Sequence, residues 1–178
     1  QRPPSLLYSD RELTNSVELY SLTKGYSMAG WRVGFAVGNK EAIQSLTKLK
    51  SYIDYGTFQP IQIASTVAIN DLDTYPKEVS ETYKERRLLV VENLETFGFD
   101  VYNSNATMFV WAKIPDFYNK KSMEFSLEIL KKSNVAISPG IGFGNEGEGF
   151  IRIALVENKQ RIRQAMKNMQ SFFDDNIQ

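Results

Sequence analysis

Neither cysteine nor histidine occurs in the 178 residues. Without cysteine there is no disulfide framework and no thiol chemistry. Without either residue the usual zinc ligand sets are excluded, as are Ser-His-Asp and Cys-His mechanisms within the chain. An excess of one charge is missing too. Lys plus Arg and Asp plus Glu both number 21, so the formal net charge is zero. Nothing in that balance points to a nucleic acid or a membrane surface as partner. No apolar run is long enough to span a bilayer and no signal peptide is visible, which leads us to expect a cytoplasmic protein. Repeats and low-complexity stretches are also absent. The chain opens on Gln1-Arg2-Pro3-Pro4 without an initiator methionine, and we expect it to be a piece of a longer protein.

What remains for chemistry is Lys, Arg, Tyr, Ser/Thr and the carboxylates, a set that a bound cofactor would complete. Hydrophobic residues make up 42%, which suits a globular chain rather than a disordered one. Residues 1–15 read as a loop and Val17 to Leu22 as a short strand. Trp31 to Val37 reads as a buried strand. Asn39 caps a helix through about Leu49, with Ile43, Leu46 and Leu49 on one stripe. A second helix covers Ile61 to Leu72. Pro76 suits the first turn of a long helix that carries Val79, Tyr83, Val90, Leu94 and Phe97 and ends at Gly98. Further on, Thr107 to Ile114 is a strand and Ser122 to Lys132 a helix with Phe125, Ile129 and Leu130 inward. Val135 to Ser138 and Phe150 to Leu155 are strands around a glycine-rich loop. Ile162, Ala165, Met166, Met169 and Phe173 make the last helix amphipathic. The pattern changes near residues 73–76, where we expect a lobe boundary.

One segment gathers unusual chemistry. Ser21-Leu22-Thr23-Lys24-Gly25-Tyr26-Ser27-Met28-Ala29-Gly30-Trp31-Arg32 sets one lysine among hydroxyl residues, with an arginine eight positions later. A lysine amine can form an imine with an aldehyde. Ser21 and Thr23 can donate hydrogen bonds to phosphate oxygens, and Arg32 can pair with the phosphate through its planar fork. Taken singly these residues mean little, since lysines are mostly solvated and hydroxyls favour turns. A second candidate is Arg152, alone in the apolar strand Phe150-Ile151-Arg152-Ile153-Ala154-Leu155. A charge there needs a partner. That partner is either a carboxylate of the chain, such as Glu157, or the carboxylate of a ligand.

The lysine segment closely resembles the lysine motif of fold-type I pyridoxal-phosphate enzymes of the class I/II aminotransferase family. It meets the family pattern at Ser21, Thr23, Lys24, Tyr26, Met28, Gly30, Arg32 and Gly34. The resemblance extends over nearly the whole chain. Tyr52 to Pro60, Met108 to Pro115, Ser138 to Gly144, Ala154 to Asn158 and Arg161 to Ala165 look like the bacterial alanine (glutamate–pyruvate) aminotransferase branch.

The resemblance implies an α/β fold: the C-terminal part of the pyridoxal-phosphate-dependent transferase fold. Residues 1–74 would end the large cofactor-binding domain and residues 75–178 would form a small α+β domain. It implies pyridoxal 5'-phosphate as cofactor and no metal. Lys24 would hold the cofactor's aldehyde as an imine and then act as general base and acid. Burial beside a cation such as Arg32 would favour its neutral amine. Ser21, Thr23 and Arg32 would bind the phosphate. Gly30 and Gly34 would allow close backbone approach, the loop from Ser138 to Gly144 would border the substrate entrance, and Arg152 would bind the α-carboxylate. The substrates implied are an alanine-like amino acid and a 2-oxo acid, 2-oxoglutarate or pyruvate, in a homodimer. Aspartate and LL-diaminopimelate aminotransferases share most of these motifs. A carbon–sulfur lyase on the same fold and an amino-acid-sensing regulator are the rival classes.

Overall fold

The computed structural model describes residues 4–174. Residues 1–3, the start of the expected N-terminal loop, lie outside the described residues. The chain divides into two compact units, residues 1–81 and 82–178.

In the first unit the N-terminal stretch contains a single 3-10 turn, Leu6–Tyr8. The Asp10 carboxylate then fastens the approach to the first strand, accepting from the backbone N–H of Thr14 and Asn15 and from the Ser16 hydroxyl. Those bonds favour the ionised form and hold the group well below the usual carboxylate range. Strand β1, Val17–Ser21, pairs antiparallel with β2, Gly34–Gly38, with Ser21 opposite Gly34. Between them lie the single helical turn α1, Leu22–Gly25, and a 3-10 turn, Ala29–Trp31.

Gly34 makes the close approach expected of it, since a Cβ there would lie 2.5 Å from Tyr20 O. Gly30 has open space around it, so the same expectation fails at that position. The strand read over Trp31 to Val37 begins only at Gly34 and is not buried: Phe35 and Val37 are exposed. The β1–β2 sheet has two strands, and among the described residues no further strand pairs with it.

Helix α2, Lys40–Ile53, starts as read, with Asn39 Oδ1 accepting from Ala42 N at 2.9 Å. Its apolar stripe is open, with Leu46 and Leu49 exposed. Helix α3, Gln59–Asp71, has Pro60 in its first turn. Helix α4, Tyr75–Thr96, begins where the sequence pattern changes. The division between the compact units falls within the span of this helix. Gly98 closes α4 with the two bonds of a Schellman motif, Gly98 N to Glu95 O and Phe99 N to Leu94 O, both 3.0 Å.

The second unit holds the core. Strands β3, Asp100–Val101, and β4, Phe109–Lys113, are followed by helix α5, Ser122–Ser133. Then come β5, Ser138–Pro139, β6, Phe150–Ala154, and helix α6, Lys159–Asp174. The antiparallel sheet has the order β3-β4-β6-β5. Alternation along the strands sends Val110, Ala112 and Ile151 into a core with Val90, Leu94, Phe125, Ile129, Met169 and Phe173. Phe109, Trp111, Phe150 and Arg152 fall on the opposite face. Leu130, expected inward, is exposed, because the buried face of α5 runs through Ser122, Phe125, Ser126, Ile129 and Ser133. The strand expected from Val135 pairs only at its end, over Ser138–Pro139.

Candidate active site

Ser21 ends β1 and is the N-cap of α1, its Oγ accepting from Thr23 N at 3.2 Å. The Ser21 hydroxyl also donates to Thr23 Oγ1 at 2.8 Å. Arg32 reaches the same oxygen, Nη1 donating to Thr23 Oγ1 at 3.4 Å and to Ala29 O at 3.1 Å. Residues separated by up to eleven positions thus form one hydrogen-bonded cluster. Arg32 stands in the left-handed region with φ 50°, a conformation that costs a non-glycine residue about 1 kcal/mol. The strain is met by folding the turn back on itself, with Leu22 N bonded to Val33 O and Met28 N to Leu22 O.

Lys24 occupies the same single turn, one residue after Thr23. It is exposed, so the burial expected around it is not supplied by these residues. Among the described residues it has no hydrogen bond or ion pair. No carboxylate pairs with Arg32 either. Two hydroxyls, a guanidinium and a free amine without an acidic neighbour make a donor set that fits a phosphorylated aldehyde. Among the described residues no group of His, Cys, Asp or Glu could hold a metal ion.

Arg152 belongs to the second unit, on β6 opposite Trp111 of β4. The ion pair with Glu157 is not formed; Glu157 lies instead 3.9 Å from Arg161. Two rings pack against the Arg152 guanidinium, its carbon lying over each, 4.1 Å from the Phe109 centroid and 4.1 Å from that of Phe143. Its Nε is buried with no hydrogen-bond partner. Aromatic rings pack against the cation while this N–H donor remains unmatched, a state that calls for an anion.

Sequence reasoning missed both flanking rings. Phe109 could have been found by alternation, two residues before Trp111 on the same face. Phe143 left a weaker signal, an aromatic residue between two glycines. Also missed was Tyr75, whose hydroxyl donates to Ser27 Oγ at 3.2 Å and whose ring stacks on Tyr26, tying the start of α4 to the lysine segment.

Known proteins share this arrangement of elements. The family model for aminotransferase class I and II matches residues 6–169. Glutamate-pyruvate aminotransferase AlaC of Escherichia coli is 42% identical over 97% of this chain and 42% of its own length. An LL-diaminopimelate aminotransferase of Natranaerobius thermophilus is 44% identical over 97% of this chain and 44% of its own. Among solved structures, an aminotransferase from Staphylococcus aureus superposes with a TM-score of 0.89 at 32% identity, covering 96% of this chain and 45% of that one. The chain therefore spans less than half the length of the relatives it matches.

Proposed function

The chain belongs to the aminotransferase class I and II family, and from that premise we propose that it is the C-terminal part of a pyridoxal-phosphate-dependent transaminase. Its α/β fold is that of the C-terminal part of these transferases. We assign residues 1–74 to the end of the large cofactor-binding domain and residues 75–178 to the small domain. The observation that carries the reading is the Ser21–Thr23–Arg32 cluster with the unpaired Lys24 amine on the same turn.

Pyridoxal phosphate, when bound, supplies an electron sink for the carbon from which a proton is removed. The residues of the chain do the rest. Ser21, its hydroxyl hydrogen turned away from Thr23, and Thr23 would donate to the cofactor's phosphate, and Arg32 would meet its negative charge with the N–H groups that Ala29 and Thr23 leave unused. Lys24 is the covalent anchor and, once released, the base that takes the Cα proton of the amino acid at Nζ and returns it. Arg152 binds the α-carboxylate with its in-plane donors and so orients the Cα–H bond. The amino donor is alanine-like and the acceptor 2-oxoglutarate or pyruvate, in a cytoplasmic homodimer. The LL-diaminopimelate aminotransferase relatives support a second reading of the donor, a longer diamino acid.

An amino-donor panel on the full-length protein, run with wild type and Lys24→Ala, tests this. Wild type transfers from alanine fastest, and Lys24→Ala loses roughly a thousandfold in rate. Cycling of Lys24→Ala at the wild-type rate would sink the assignment, and transfer from LL-diaminopimelate in preference to alanine selects the second reading.

A further inference from the structure

The strand pattern leaves Arg152 on the open face of the sheet, and residues 140–149 decide what lies over it. This loop is pinned at both ends. Gly140 presses against the backbone of its far end, where a Cβ would lie 2.0 Å from Gly147 O and 2.7 Å from Phe150 O. Glu148 Oε1 accepts from Ser122 N at 2.6 Å and from Gly149 N at 2.9 Å. Ser122 Oγ in turn accepts from Ile141 N at 3.3 Å, so the start of α5 grips the loop on either side of its apex. Gly149 O accepts from Ile114 N at 2.9 Å, which fixes the loop to the end of β4.

Phe143 stands at the apex and is half in water, 51% exposed. It adds little to the core. Its ring instead packs against the Arg152 guanidinium at 4.1 Å, as Phe109 does, and forms an edge-type pair with Trp111, centroids 5.7 Å apart. A cation is drawn to an aromatic face, whereas the guanidinium N–H bonds all point within its plane. Rings that lie under the guanidinium carbon therefore do not compete with a carboxylate arriving edge-on. They remove the other orientations the side chain could take and so lower the ordering cost of binding.

We infer that Phe143 is the positioning residue of the carboxylate site, holding its ring against the Arg152 guanidinium so that the in-plane N–H donors are presented to an anion. The inference rests on the proposed reading of Arg152 as the carboxylate-binding residue. Amino acid and 2-oxo acid present the same carboxylate, so loss of the ring weakens both half-reactions alike.

The test uses the full-length holoenzyme with Phe143→Ala, Phe143→Leu, Phe143→Tyr and Arg152→Ala. Two readouts are taken: steady-state constants for donor and acceptor, and calorimetric titration with propionate, a carboxylate that cannot react. Phe143→Ala and Phe143→Leu raise both KM values and the propionate Kd by roughly tenfold, with kcat falling less than KM rises. Phe143→Tyr restores the ring and brings both back toward wild type. If both non-aromatic variants bind propionate like wild type while Arg152→Ala does not, the role of Phe143 is refuted and that of Arg152 stands. If Arg152→Ala itself binds propionate like wild type, the reading of Arg152 fails and the inference with it.

Discussion

Among the described residues neither Lys24 nor Arg152 has a carboxylate partner, yet only the first draws its neighbours from its own stretch of sequence. Ser21 ends β1, Thr23 and Lys24 lie in α1, and Arg32 follows the 3-10 turn just before β2, so their grouping is local and the spacing carries it. The surroundings of Arg152 are not local. Phe109 arrives through the β4–β6 pairing and Phe143 through a loop that must first be pinned. Glu148 does part of that pinning, and the two backbone N–H groups it accepts hold its carboxyl below the usual carboxylate range. A folded-state pKa below the unfolded one contributes stability that is present above the unfolded value and lost as pH falls through the folded value. Glu148→Gln is accordingly destabilised against wild type at pH 7. The gap between the two thermal midpoints closes as pH drops below the ordinary carboxylate range. A gap that stays constant between pH 7 and pH 3 would contradict this account of Glu148.

Among the elements, those with chemical punctuation were read well. Asn39 begins α2 and Gly98 ends α4 because each satisfies backbone groups that a helix end leaves open. Asn39→Ala removes the acceptor for Ala42 N and costs about 1 kcal/mol in denaturant unfolding. Burial was read less well, because it depends on what covers an element rather than on its own pattern. The Trp31 to Val37 run is as apolar as a core strand, but Phe35 and Val37 on it stay exposed. On α5, periodicity alone did not separate Ile129, fully buried, from Leu130, 43% exposed. On α6, Phe173 is buried among Phe97, Phe99, Tyr118 and Phe172. Phe173→Ala is expected to cost about 3–5 kcal/mol, and Leu130→Ala less than about 0.5 kcal/mol. Equal effects of the two on the unfolding midpoint would show that the core is wrongly placed.

Across the whole molecule the two units differ in how they are built. Residues 82–178 have a continuous aromatic and aliphatic core under one sheet face. Residues 1–81 bury few apolar side chains, Leu22 and Ala68 among them, and leave Leu19, Tyr52, Ile53, Phe58 and Ile63 at 58% exposure or more. Exposed apolar surface of that kind binds other apolar surface. The chain of 178 residues alone is therefore expected to bind an apolar fluorescent dye and to elute as associated species. The full-length protein is expected to bind no such dye and to elute as a dimer. Dye binding equal in both would show that the exposed faces are not covered by the rest of the protein. No α-helix among the described residues is long and apolar enough to cross a membrane.

The central claim is that Lys24 is the cofactor's anchor. Borohydride fixation of pyridoxal phosphate in the full-length protein, followed by peptide mapping, tests it most directly. The account predicts the fixed cofactor on the peptide that contains Lys24, and none in Lys24→Ala. Fixation on any other lysine, or an unchanged yield in Lys24→Ala, would contradict it.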